Sequence, residues 1–228
     1  MKLKDMNFGE INPATTLIYL YYEQKGNWEG IRKALAEKVE LPDASTITTA
    51  LDGWRADMLA KDPEMNILTI LDVSTKEYPV WLTKVRRPPF VVVYTGNLEL
   101  MNPKSKLLVV ENGDITKMLR RYGIMHGYAD TDSITLYANT AESGDTVSKI
   151  YETGDAAAER LISIGDRFLA IDGQKGFLEK LSALKKDTDK KKLFALPGNA
   201  GCMCNKLIKS GWHLCDSGED LITIPESK

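Results

Sequence analysis

Two kinds of group in this chain have the chemistry of anion recognition. The first are cations: Lys117, Arg120 and Arg121 close together, Lys175 beside a glycine, and Lys206 and Lys209 within one short stretch. The second are glycine-bearing stretches, Glu111-Asn112-Gly113-Asp114, Asn139-Thr140-Ala141-Glu142-Ser143-Gly144, Asp172-Gly173-Gln174-Lys175-Gly176 and Pro197-Gly198-Asn199-Ala200-Gly201. Glycine lets backbone N–H groups come close to a ligand, and Lys and Arg neutralise phosphate. Asn112, Gly113, Gly144, Gly173, Gly198 and Asn199 are therefore the expected cleft positions for a phosphate or nucleotide-like ligand, and the cations the expected contacts to a nucleic-acid backbone. Tyr94, Tyr122 and Trp212 are the aromatic candidates for stacking on bases. Taken singly, each cation reads as an ordinary solvated surface residue in preference to a ligand contact.

These loops meet only if each follows a strand of one sheet. Apolar runs and glycine stops predict strands at 106–110, 134–138, 168–171, 193–196 and 212–215, alternating with helices at 114–122, 147–164, 176–184 and 205–209. That alternation implies an α/β fold, a Rossmann-like doubly wound and mostly parallel sheet, whose ligands bind outside the carboxyl ends of the strands. Ahead of it, residues 13–60 read as three short helices. Pro13 suits a first turn, Asn27 caps a second helix whose Trp28, Ile31, Leu35 and Val39 recur at helical spacing, and Asp43 or Ser45 caps a third carrying Ile47, Leu51, Trp54 and Met58. The expected organisation is a small all-helical N-terminal domain, residues 1–62, and a Rossmann-like domain, residues 63–228. The helical part reads as a packing module in preference to a SAM-like or helix-turn-helix DNA module, because no basic recognition helix stands out.

Composition narrows the function. The net charge of −2 over 228 residues gives no global attraction for nucleic acid, so any such binding rests on a local patch. No apolar run is long enough to cross a bilayer and the start lacks an apolar signal region, which predicts a cytoplasmic protein with no membrane partner. Cys202, Cys204 and Cys215 are an odd count that fits reduced thiols. With His213 they could be written as a metal set, but the first pair is spaced too closely for the usual zinc site, and no metal or other cofactor is expected. The chain has no G-x-G-x-x-G, P-loop or nucleophile-elbow motif, and its histidines, His126 and His213, fall in no triad spacing, so a binding role is expected over an enzymatic one.

The stretch 78–100 is the most specific in the chain. Tyr78-Pro79-Val80-Trp81-Leu82 leads to the Pro88-Pro89 corner, the apolar run Phe90 to Tyr94 and Gly96-Asn97-Leu98. Far downstream come Phe194-Ala195-Leu196-Pro197-Gly198-Asn199, then Asn205-Lys206-Leu207-Ile208-Lys209-Ser210-Gly211 and Ser217-Gly218-Glu219-Asp220-Leu221. In this order the segments resemble the DNA-processing protein A (DprA/Smf) family: its Y-P-x-x-L and P-P entry, its F-A-x-P-G turn, its N-x-L-I-x-x-G helix and its closing E-D segment. The resemblance implies a non-catalytic single-stranded DNA-binding protein of DNA processing, recombination and natural transformation, acting with a RecA-type recombinase and as a homodimer. The family's G-[ST]-R-x-x-S-x-Y-G turn is reduced here to Tyr122-Gly123, with Lys117 in place of the arginine and Arg120 in place of the serine. The related lysine-decarboxylase-like (LOG) proteins share only Pro197-Gly198 with this chain's turn. Two alternatives therefore stand beside the DNA reading: a nucleotide-ligand sensor using the same cleft, and a degenerate phosphoribohydrolase-like enzyme using Glu111, Glu142 or Asp172.

Overall fold

The computed structural model describes every residue except 75, 86, 103, 105, 141–143, 152–154, 184–191 and 224–228. The chain divides into two compact units, Met1–Thr95 with Ile150–Thr153, and Gly96–Lys149 with Gly154–Lys228.

In the first unit, each helix starts where a short polar side chain satisfies otherwise unpaired backbone N–H groups. Helix α1, Pro13–Glu23, is capped by the Asn12 side chain, which accepts from the Thr15 amide at 3.0 Å. Asn27 does the same for α2, Trp28–Glu37, at the Gly30 amide. Asp43 accepts from Ser45 and Thr46 at the start of α3, Ala44–Lys61. The backbone N–H and hydroxyl of Thr46 hold the Asp43 carboxyl down at about 2. Strand β1, Asn66–Thr69, pairs antiparallel with β2, Val91–Thr95, with Ile67 opposite Val93. Leu17, Ile18, Ile47 and Leu51 of the helices bury against Ile67, Val91 and Val93, so the helices cover one face of this strand pair.

The double-proline corner is held by its carbonyls. The Trp28 indole N–H donates to the Pro88 carbonyl at 2.8 Å, and the buried Tyr78 hydroxyl donates to the Pro89 carbonyl at 2.7 Å. Trp28 also stacks on Phe90 at 5.6 Å. Tyrosine and tryptophan suit this place because each combines a large apolar body with a donor at its rim. Ile150 and Tyr151 also belong to this unit, and the Tyr151 carbonyl accepts from the Tyr21 hydroxyl at 3.2 Å.

The second unit holds β3 (Leu108–Val110), α4 (Thr116–Arg121), β4 (His126–Ala129), β5 (Ser133–Thr140), most of β6 (Gly144–Tyr151), α5 (Asp155–Ile164), β7 (Arg167–Ala170), α6 (Lys175–Ala183), β8 (Lys192–Ala195), α7 (Met203–Lys209), β9 (His213–Leu214) and α8 (Gly218–Thr223). Its strands lie in the order β6-β5-β4-β3-β7-β8-β9. Strand β3 is parallel to both β4 and β7, which run on parallel through β8 to β9. Helices cover both faces. Leu119 of α4 and Leu221 of α8 pack with Val110, Leu169 and Phe194 on one, and Phe177 of α6 and Leu207 of α7 pack with Ala170 and Ala195 on the other.

The class is α/β with N-terminal helices, but the expectation of a mostly parallel sheet is overturned. Pairing is mixed, antiparallel at β1/β2 and at β4/β5 as well as parallel around β3 and β7. The reason at β4/β5 is the connection: Asp130 N–H donates to the Ser133 carbonyl at 2.8 Å across a tight turn, and so short a link can only return the chain antiparallel. The segment 134–138 is thus the return strand of a hairpin, and the parallel neighbour of β3 is His126–Ala129, which the hydrophobic pattern passed over. The helix expected at 147–164 is also corrected. Its first part is strand β6, with Ser148 and Ile150 buried and Val147 and Lys149 exposed in strand alternation, and among the described residues the helix is Asp155–Ile164.

Candidate functional site

Strand order reverses direction of travel at β3, with β4 on one side and β7 on the other, so the carboxyl ends of β3 and β7 mark the topological switch point. At this point lies Glu111, the residue after β3, nine-tenths buried. One carboxylate oxygen accepts from the amides of Ile171, Asp172 and Gly173 at 2.6, 2.9 and 3.0 Å, and the other accepts from the Gln174 amide. Four successive N–H groups leading into α6 form the kind of concavity that elsewhere receives phosphate. Gly173 makes it possible: its φ of +70° is a left-handed conformation, and a Cβ there would lie 2.6 Å from the Met203 Cβ. The protein therefore fills its own anion nest with a side chain. The four amides hold both oxygens of this carboxylate in place.

Beside Glu111 is a cavity of about 210 Å³. Val109, Ala129, Leu161 and Phe177 line it with apolar surface, while Gln174 and Lys180 supply polar groups. Next along the edge, the 197–201 loop is exposed and stapled from below by Asn205. The Asn205 amide donates to the carbonyls of Gly198 and Asn199 at 2.9 and 3.0 Å, and its oxygen accepts from the Gly198 N–H at 3.1 Å.

The thiols do not gather. Cys204 points its Sγ at the Ile171 carbonyl at 3.1 Å under α7, whereas Cys215 belongs to the cluster on the other face. Burial pushes both thiols up to about 12, with Cys202 adding to the effect on Cys204 and Asp220 to that on Cys215. Among the described residues no three His, Cys, Asp or Glu side chains are placed to hold a metal ion.

A different arrangement occupies the face carrying α4. The Arg120 guanidinium lies over the Tyr137 ring, 5.4 Å from its centroid, and His126 stacks on Tyr137 at 5.0 Å. Tyr128 lies 6.3 Å from Tyr137 at a 20° tilt, so β4 and β5 together present a row of near-parallel rings. The register sets this up, since His126 and Tyr137 are cross-strand partners and Tyr128 follows His126 on the same side. Burial, and then the hydrogen bond with Tyr137, pushes the Tyr128 hydroxyl up to about 12. Tyr128 and Tyr137 are part-exposed, and the cations beside them on α4, Lys117 and Arg121, are exposed.

The structure thus sorts the expected site residues into groups. Asn112, Gly113, Gly173, Gly198 and Asn199 lie along the carboxyl edge of the parallel strands, but Gly144 opens β6 after the antiparallel β5 and falls at the opposite edge. Lys117, Arg120 and Arg121 share α4 on one face, while Lys175 on α6 and Lys206 and Lys209 on α7 belong to the other. Lys175 pairs with Glu179 at 3.5 Å. Of the proposed stacking residues, Tyr122 and Trp212 pack against the two buried clusters, and Tyr94 belongs to the first unit. Glu142 lies outside the described residues, and Asp172 is exposed. Tyr128 and Tyr137 went unnoticed in the sequence, although aromatic residues near a turn between two short strands are a readable hairpin signal. Among the described residues no helix is long and apolar enough to cross a membrane.

No family model matches the chain, and no curated protein does. Among solved structures, the chain is similar to the X-ray structure of DNA processing protein A (DprA) from Streptococcus pneumoniae, with a TM-score of 0.45 and 15% identity over 99% of this chain and 96% of that chain.

Proposed function

We propose that this protein is a non-catalytic, sequence-independent binder of single-stranded nucleic acid, of the DNA-processing type that its sequence resembles. The observation that carries the reading is the Arg120 guanidinium lying over Tyr137 beside the exposed Arg121. Single strands are held where cations meet phosphates and planar groups stack on bases, and both are sequence-tolerant because every nucleotide has a phosphate and a π-face. A RecA-type recombinase and a second copy of the chain are the partners that the sequence resemblance implies.

Fluorescence anisotropy with a labelled oligo-dT tests this, comparing wild type with Arg120→Ala/Arg121→Ala. The expected result is binding that the double substitution weakens roughly ten-fold or more. Absence of binding to single strands at low salt would remove the reading.

The cavity beside Glu111 favours one second reading, a sensor of a small ligand with both polar and apolar surface such as a nucleobase or nucleoside. A thermal shift with adenine or adenosine, undiminished by salt, would favour it over nucleic-acid binding.

A further inference from the structure

Topology separates the charges of the second unit into two ends. Helices α4, α6 and α7 each follow a parallel strand and run back, so they begin at the carboxyl edge of those strands and end at the amino edge. Asp114, Asp130, Asp132, Asp172, Asp216 and Asp220 all fall in the carboxyl-edge turns or first helical turns, where Lys117 and Lys175 join them from the starts of α4 and α6 and Lys149 of β6 comes close to Asp130. Lys106, Arg120, Arg121, Arg167, Lys192 and Lys209 fall at the amino edge, before β3, β7 and β8 and at the ends of α4 and α7, and outnumber the acids of that edge among the described residues, Asp145 and Asp166, the latter paired with Arg167 at 3.5 Å. Acids near helix starts and bases near helix ends complement the helix dipole, which accounts for how such a division arises. Its consequence for a polyanion is independent of that origin.

Resting on the nucleic-acid reading above, we infer that the single strand lies across the amino edge of the parallel strands, over the end of α4. This is the edge opposite to the switch point at which open α/β sheets ordinarily bind ligands. Three features point there together. The amide nest at the carboxyl edge is already occupied by Glu111, so it offers a phosphate no donors. The aspartates of that edge repel a phosphate backbone. At the amino edge, by contrast, Arg120 lies over the part-exposed Tyr137, the residue opposite the buried His126 at the start of β4, which places one aromatic ring next to cations for phosphates. Lys106 and Arg121 are exposed there and form no ion pair among the described residues. The Lys106 carbonyl accepts from Arg167 at 3.0 Å, which ties that corner of the edge together.

The experiment compares two double substitutions in the full chain by anisotropy with labelled oligo-dT over a range of salt, after unfolding curves confirm that both variants fold. The inference expects Lys106→Ala/Arg121→Ala to weaken binding roughly ten-fold and to flatten the logarithmic salt slope by about 1.4, the loss of two single-strand phosphate contacts. It expects Lys175→Ala/Lys206→Ala, at exposed positions on α6 and α7 on the other face of the sheet, to stay within about two-fold of wild type. If the second pair weakens binding as much as the first, or the first leaves affinity and slope unchanged, the strand does not lie at the amino edge, and nucleic-acid binding itself still stands. If wild type binds no single strand, the functional reading falls and the placement falls with it.

Discussion

The Glu111 carboxylate and the Gly173 amide, 3.0 Å apart, join the end of β3 to the loop that opens α6. Three neighbouring amides share the same carboxylate. Removing it leaves buried N–H groups without partners, which costs more than the net worth of the bonds themselves. Glu111→Ala is expected to lower unfolding stability by about 3 kcal/mol, measured by urea denaturation. Because the vacated nest accepts anions, inorganic phosphate is expected to restore part of that loss in the variant and to leave wild type unchanged. A variant as stable as wild type, or indifferent to phosphate, would show that the amides need no anion.

Asn205 is the staple of the exposed 197–201 loop, making three hydrogen bonds to Gly198 and Asn199. Asn205→Ala is expected to cost about 1 kcal/mol and to speed proteolytic cleavage within the loop. Since that loop lies at the carboxyl edge, affinity for single-stranded nucleic acid is expected to remain at the wild-type level. A loss of binding without a loss of stability would put the loop in the interface.

The cysteines are chemically unequal. Cys204 and Cys215 are fully buried with thiols pushed up to about 12, while Cys202 is part-exposed. The thiolate is the reacting form, so at pH 8 Ellman's reagent is expected to modify one thiol quickly in the native protein and all three in urea. Rapid reaction of all three in the absence of denaturant would contradict the burial of the latter two.

Tyr128 sets an alkaline limit. Its hydroxyl is raised from an ordinary value near 10 to about 12, chiefly by burial. A raised value in the folded state means that the contribution to stability is fully present below pH 10 and is lost as pH rises towards 12, because the unfolded chain releases the proton first. The stability of wild type relative to Tyr128→Phe is therefore expected to be level up to about pH 10 and to fall above it. A difference that does not change with pH would mean that Tyr128 ionises as freely folded as unfolded.

The local elements with strong chemistry of their own were legible in the sequence. Asn27 and Asp43 announce the starts of α2 and α3, and the apolar runs of β7 and β8 read directly as buried strands. Strand β4 was not legible, because His126-Gly127-Tyr128-Ala129 has no branched aliphatic residue. Gly127 is there for packing, since a Cβ would lie 2.6 Å from Leu136 Cδ2. Missing β4 put β5 in its place and hid the hairpin, and the direction of β5 decides on which edge Gly144 falls. Glu111 was visible as a carboxylate after a strand, yet its role depends on a loop far along the chain that only the β3/β7 pairing brings beside it. The same long-range order separates the α4 cations from those of α6 and α7, which no spacing along the chain expresses.

The most direct test of the account is the affinity of the wild-type protein for a labelled oligo-dT measured at about 50 mM and about 200 mM salt. If three phosphates are neutralised, affinity is expected to fall roughly 20-fold between the two, with the same oligonucleotide recovered intact at the end of the titration. Binding indifferent to salt, cleavage of the strand, or no binding at the lower salt would each contradict a non-catalytic protein that grips a phosphate backbone.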